Sequence, residues 1–174
     1  MKEGRDMALK SKFTAKDIAL IGVMIATLEV AKLAMSYLPN IELVTLLIIL
    51  YTLFFGNKIY YALTAFVLLE GCLYGFGVWW FMYLYIWPIL AILTNIFKKQ
   101  QSIWFWSIFS GVYGLFYGAL CSITYIFISG FKGAFAWWVA GIPFDIIHCV
   151  SNFIICMVLF IPLRKVMRMM KSGL

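Results

Sequence analysis

The chain has 174 residues, 65% of them apolar and only 12% charged, with a mean hydropathy of +0.99. A water-soluble domain is nearer half apolar and a quarter charged, so this composition excludes one and specifies an all-α, polytopic membrane protein; a β-barrel is excluded because the apolar runs are continuous and do not alternate in and out. The formal charge of +7 would suit a nucleic-acid binder, but the distribution of the basic residues along the chain argues for membrane topology and against nucleic acid.

Residues 1–16, "MKEGRDMALKSKFTAK", are polar and basic and lack the short apolar core and small-residue cleavage site of a signal peptide. Six apolar segments follow, and about 20 residues of helix cross a bilayer core of roughly 30 Å. The first predicted span covers 17–38 and ends at "LPN"; the second covers 41–55 and stops at "GNK"; the third covers 59–76 and runs into "GFGVWW". The fourth covers 81–97, carries Pro88 and ends at "KKQQ"; the fifth covers 103–128; the sixth covers 137–163, before the basic tail 164–174 with its "RKVMRMMK". Neither a repeat nor a linker interrupts them, so residues 1–174 form a single six-helix membrane domain.

The basic residues set the orientation. With the N-terminus in the cytoplasm, the inner segments collect Lys2, Arg5, Lys10, Lys12 and Lys16, then Lys58, then Lys98 and Lys99. Arg164, Lys165, Arg168 and Lys171 complete twelve of the fourteen, leaving Lys132 outside and Lys32 within a span. One orientation thus satisfies the positive-inside rule at every inner segment, with the chain multi-pass and both termini cytoplasmic. Attraction to an anionic bilayer accounts for the same charges.

Ionisable groups inside a bilayer cost on the order of 3 kcal/mol on insertion scales and are functional suspects. Glu29 and Lys32 stand three apart on the first span and share a face, where they can neutralise each other. Glu70 lies about two turns below the outer end of the third span. On the sixth, Asp145, His148 and Asn152 stand at i, i+3 and i+7, one helical stripe, either as a clamp in which Asp145 fixes the ring of His148 or as the wall of a polar cavity open to the outside. Tryptophans add to the pattern: Trp79, Trp80, Trp137 and Trp138 fall at the outer surface and Trp104 and Trp106 at the inner one. Adjacent helical residues point about 100° apart, so at least one of each outer pair faces something other than lipid.

Depth is what these groups share. Asn40 and Glu42 stand at the outer end of the second span, Tyr83 and Trp87 in the outer half of the fourth, and Glu70, Trp79, Trp80, Trp137, Trp138, Asp145, His148 and Asn152 at comparable levels. Aromatic walls with a few polar anchors describe a small-molecule site loaded from outside. The carboxylates there, with Lys132 the one cation nearby, favour a neutral or cationic compound over a dianion. Ser122 or Ser151 beside His148 does not make an enzyme: "GxSxG" and "HExxH" are missing, and one histidine builds no metal site. Cys72, Cys121, Cys149 and Cys156 lie in apolar segments and read as small core residues. Neither metal nor cofactor is expected.

The stretches "LPNIELVTLLIILYTLFFGNK", "LLEGCLYGFGVWW" and "AGIPFDIIHCVSNF" give the chain its resemblance to the substrate-binding S components of energy-coupling factor (ECF) vitamin transporters, and that resemblance covers nearly its whole length. It implies a subunit that captures a vitamin or related micronutrient from outside, then docks with a transmembrane coupling (T) subunit and two cytoplasmic ATPases. The chain has no "GxxxxGK[ST]" phosphate loop of its own, in keeping with dependence on partners. Members of that family dock through small residues on the first helix, and here Ala15 with Ala19, or Gly22 with Ala26, provide a spacing of four that lets another helix approach closely. The alternative is a six-helix membrane scaffold of the cell-wall machinery, which has little need of buried acid and imidazole beneath outer tryptophans.

Overall fold

The computed structural model describes residues 14–173; Lys2, Arg5, Lys10 and Lys12 of the basic N-terminal segment lie outside the described residues. Among the described residues every regular element is a helix: α1 (Ala15–Met35), α2 (Val44–Phe55), α3 (Lys58–Tyr74), α4 (Val78–Ile96), α5 (Ile103–Leu115) and α6 (Tyr117–Ser172). Three stretches are long and apolar enough to cross a membrane: α1, α4 and the run Ile103–Ser172.

Thr14 starts α1 by accepting the Asp17 N–H on its hydroxyl at 3.2 Å, while the Asp17 carboxylate accepts the Thr14 N–H at 3.0 Å, a capping box that satisfies two orphan donors of the first turn. One face of α1 is buried through Leu20, Met24, Leu28 and Ala31, the three-to-four-residue step of a helix lying against a bundle. α2 is apolar all round, "VTLLIILYTLFF", and nearly all of it is buried, as expected of a central helix. The second predicted span therefore shrinks to twelve residues, because residues 36–43 form an irregular strap between α1 and α2.

The run Ile103–Ser172 folds back on itself. It bends at Phe116, between α5 and α6, and reverses at Gly130, whose φ of 71° and ψ of 178° are not helical. The register of the two arms is antiparallel: Tyr125 stacks on Trp137 with centroids 4.6 Å apart, Asp145 bonds to Gly118, and Trp106 stacks on Phe160. Glycines let the arms meet. A Cβ on Gly114 would lie 2.9 Å from the backbone carbonyl of His148, and one on Gly111 would lie 3.1 Å from that of Cys149. The fifth and sixth predicted spans are these two arms.

Tyrosines tie the hairpin to α4: Tyr113 Oη donates to the Ile86 carbonyl at 2.6 Å and Tyr85 Oη to the Leu120 carbonyl at 2.8 Å. Lys16, Lys58, Lys98, Arg164, Arg168 and Lys171 gather at the opposite end of the bundle from the strap. Lys58 pairs with Asp17 at 2.5 Å, Lys16 lines a groove with Met169 and Met170, and Lys98 lines a cavity with Arg164 and Lys171.

Candidate functional site

The strap roofs a cavity of about 240 Å³. Its apolar side is made by Met35, Leu38, Pro39, Ile41, Val44 and Phe66, and its aromatic wall by Tyr83, Trp87 and Tyr117. The polar groups on it are Lys32, Ser36, Asn40, Glu42 and His148.

The strap is held by two contacts to the return arm of the hairpin. Glu42 Oε1 lies 3.3 Å from His148 Nε2, while its other oxygen accepts the Thr45 N–H at 2.8 Å and so caps the start of α2. Ser151 Oγ donates to the Asn40 carbonyl at 2.8 Å. Asn40 takes a left-handed φ of 59°, a conformation asparagine adopts more readily than most side chains. Sequence, turn and anchoring agree here: Asn40 turns the strap, Glu42 starts the next helix, and both fasten to residues 148–151.

Two residues that line the cavity also hold buried nitrogens with no protein partner among the described residues. Trp87 is buried and its indole N–H is unpaired, and His148, also buried, has an unpaired Nδ1. Buried polar groups are nearly always satisfied, and these two are among ten unpaired buried side-chain atoms of the described residues, the other eight belonging to residues that do not line the cavity. Around them, Tyr83 meets Trp87 edge-on at 5.3 Å, and Tyr117 meets the His148 ring at 4.9 Å.

Five of the twelve candidate binding residues line this cavity: Asn40, Glu42, Tyr83, Trp87 and His148. The other seven do not. Glu70 is fully buried and bonds directly to Lys32 across α1 and α3; Glu29 accepts from Tyr74 Oη at 3.2 Å and acts on the Lys32 charge without bonding to it. Trp79 helps to box the Lys32 ammonium, which lies 4.6 Å from the ring centre of Tyr74, 5.3 Å from that of Trp79 and 5.4 Å from that of Tyr83. Trp80 turns into the bundle and donates to the Val67 carbonyl at 2.8 Å. Trp137 stacks on Tyr125, and Trp138 packs on Phe135.

Asp145 does not clamp His148. Its Oδ1 accepts the Gly118 N–H at 2.9 Å, one of the orphan donors of the helix that restarts after Phe116. Asn152 is buried one turn beyond His148, with its Nδ2 unpartnered. The charge inventory of the site also changes: Lys32 lines the cavity and Lys132 does not. Sequence reasoning named Lys32 as an intramembrane charge but left it out of the site, and it missed Tyr117, which nothing in the local pattern distinguishes. Of the cysteines, Cys121 and Cys156 are buried, Cys149 is half-buried and Cys72 is exposed rather than in the core.

The four small residues of α1, Ala15, Ala19, Gly22 and Ala26, are all exposed, and a Cβ on Gly22 would meet nothing within 4 Å. No cluster of three or more metal-ligating side chains occurs among the described residues. Comparison of the chain with protein-family models, curated proteins and solved structures finds no match.

Proposed function

We propose that the chain is the substrate-binding S subunit of an ECF-type importer, which captures a vitamin or related micronutrient from outside a bacterial cell and passes it to an ATP-driven coupling module. The observation that carries this reading is the strap-covered cavity, with its aromatic wall of Tyr83, Trp87 and Tyr117 and with Glu42 and His148 among its polar lining residues. In this reading six helices cross the membrane, α2 being short because it is shielded inside the bundle, and both termini are cytoplasmic. The subunit binds its cargo without chemistry and is not an enzyme.

The polar groups favour an uncharged or cationic compound with a flat ring. The Lys32 charge is met by Glu70, and Glu42, held by His148 and the Thr45 N–H, adds a carboxylate to the lining. The exposed small-residue face of α1 suits docking with a transmembrane T subunit, which two ATPases then drive.

Binding is the test. Purified protein titrated with a vitamin panel should show quenching of tryptophan fluorescence by one compound, since Trp87 lies on the wall. His148→Ala and Glu42→Ala should each weaken that quenching by at least about tenfold, the loss of a hydrogen bond to a charged group. Silence of the wild-type protein across the whole panel would sink the importer reading in favour of a cell-wall scaffold.

A further inference from the structure

At the end of the bundle away from the strap lies a second cavity, of about 230 Å³. Lys98, Arg164, Arg168 and Lys171 line it, and no acidic residue does. Its floor is apolar, made by Leu53, Phe54, Trp106 and Phe160. Cations in the last turns of a helix are favourable by themselves, because they meet the negative end of its dipole. That accounts for basic residues at the end of α6. It does not account for their facing Lys98, from the turn after α4, across a hollow.

The cations have no carboxylate to neutralise them among the described residues. Asp17 pairs with Lys58, Glu70 with Lys32 and Glu42 with His148, while Glu29 and Asp145 accept from Tyr74 and the Gly118 N–H. Arg164 is also held in place. Its guanidinium donates from Nη1 to the Gln101 carbonyl at 3.5 Å and from Nη2 to the Gln101 side chain, and it lies 6.0 Å from the centre of the Phe160 ring. A guanidinium has five N–H donors in a fixed fork, so three remain to be used. Trp106 fixes the same loop by donating to the Gln100 carbonyl at 3.2 Å.

The geometry points to a binding site for a phosphate-bearing anion, occupied in a membrane by the headgroup of an anionic phospholipid. Arginine recognises phosphate through paired donors, and basic pockets between helices at a membrane surface take such headgroups. The apolar floor suits the glycerol and upper acyl carbons below the phosphate. A hollow of this size holds one headgroup, whereas an acidic protein segment would need a longer groove. The inference requires only that this end of the bundle meets a bilayer surface. It stands whether or not the strap-end cavity takes a vitamin.

Native mass spectrometry of the full chain, titrated separately with dioctanoyl phosphatidylglycerol and dioctanoyl phosphatidylcholine, tests it. The anionic lipid should bind at least about tenfold more tightly. Arg164→Gln should lose about fivefold of that affinity, the equivalent of about 1 kcal/mol per basic residue near the surface, and Arg164→Gln with Arg168→Gln about 25-fold. Arg168→Gln and Lys171→Gln, both at exposed positions, give single losses of about the same fivefold without risk to the fold, and Lys132→Gln at the other end changes nothing. Glycerol phosphate serves as the soluble arm. If it binds as well as the lipid and is lost in the same variants, the phosphate site stands and its ligand is a free phosphate. Equal binding of the two lipids, a preference that survives the double variant, or binding of an octaglutamate peptide without binding of the anionic lipid would overturn the proposal.

Discussion

Two stripes of small residues run along this molecule, and they have opposite fates. On α5 and the start of α6, Gly111, Gly114 and Gly118 lie against the return arm so closely that a Cβ at any of them would press on Cys149, His148 or Asp145. On α1, Ala15, Ala19, Gly22 and Ala26 are exposed, and a Cβ at Gly22 would meet nothing within 4 Å. Spacing small residues three or four apart permits close helix approach, but it does not say which helix approaches. The covered stripe is consumed within the chain and sets the position of His148. The bare stripe stays exposed.

Substitutions can break this contrast, and the largest effect belongs to the covered stripe. Gly114→Leu drives a side chain into the backbone of His148, where no flexible group can yield. Overpacking of this kind costs about 3 kcal/mol, roughly a 6–12 °C fall in Tm for a chain of this size, and it should shift His148 and abolish ligand binding. A thermal melt in detergent indistinguishable from wild type would show that the arms are not packed as described. Asp145→Leu comes next. It strips the Gly118 N–H of its acceptor and should cost about 1–3 kcal/mol, the penalty of a buried unpaired donor, read in the same melt. Asp145→Asn, which keeps a carbonyl oxygen for that N–H, should lose less than Asp145→Leu; equal losses would mean the bond carries no weight.

The smallest effect on stability belongs to the bare stripe. Gly22→Leu should change the melt by no more than about 0.5 kcal/mol, the usual range for an exposed position, and leave substrate affinity intact. Under the importer reading it should nonetheless stop uptake in cells that supply the T subunit and ATPases. A variant that folds, binds and transports normally would place the docking face elsewhere.

Periodicity served the sequence reading well wherever the question was which face of a helix is buried. Asp145, His148 and Asn152 are all buried, while Ile146, Ile147 and Val150 between them are exposed, as their i, i+3, i+7 spacing requires. It failed wherever the question was which partner lies opposite. Lys32 stands one turn from Glu29, yet its long stem carries the ammonium across to Glu70 on α3. Asp145 stands one turn from His148, yet it bonds 27 residues upstream, because the reversal at Gly130 brings Gly118 level with it. The imidazole is met instead by Glu42, 106 positions away. Such pairs depend on the register between arms, and a single helix's pattern holds no record of that register. The bend at Phe116, which frees the Gly118 N–H, has no proline to announce it.

The reversal at Gly130 is finally a matter of handedness rather than of room. Nothing lies within 4 Å of where a Cβ would stand, so no neighbour excludes a side chain there. What excludes it is the pair of torsions, 71° and 178°, a region open to glycine and all but closed to L-residues. Inverted, those angles become an ordinary extended conformation. A D-alanine placed at position 130 by chemical ligation would therefore sit without strain where L-alanine could not, and the two diastereomers would differ in how readily the hairpin closes although they carry the same atoms.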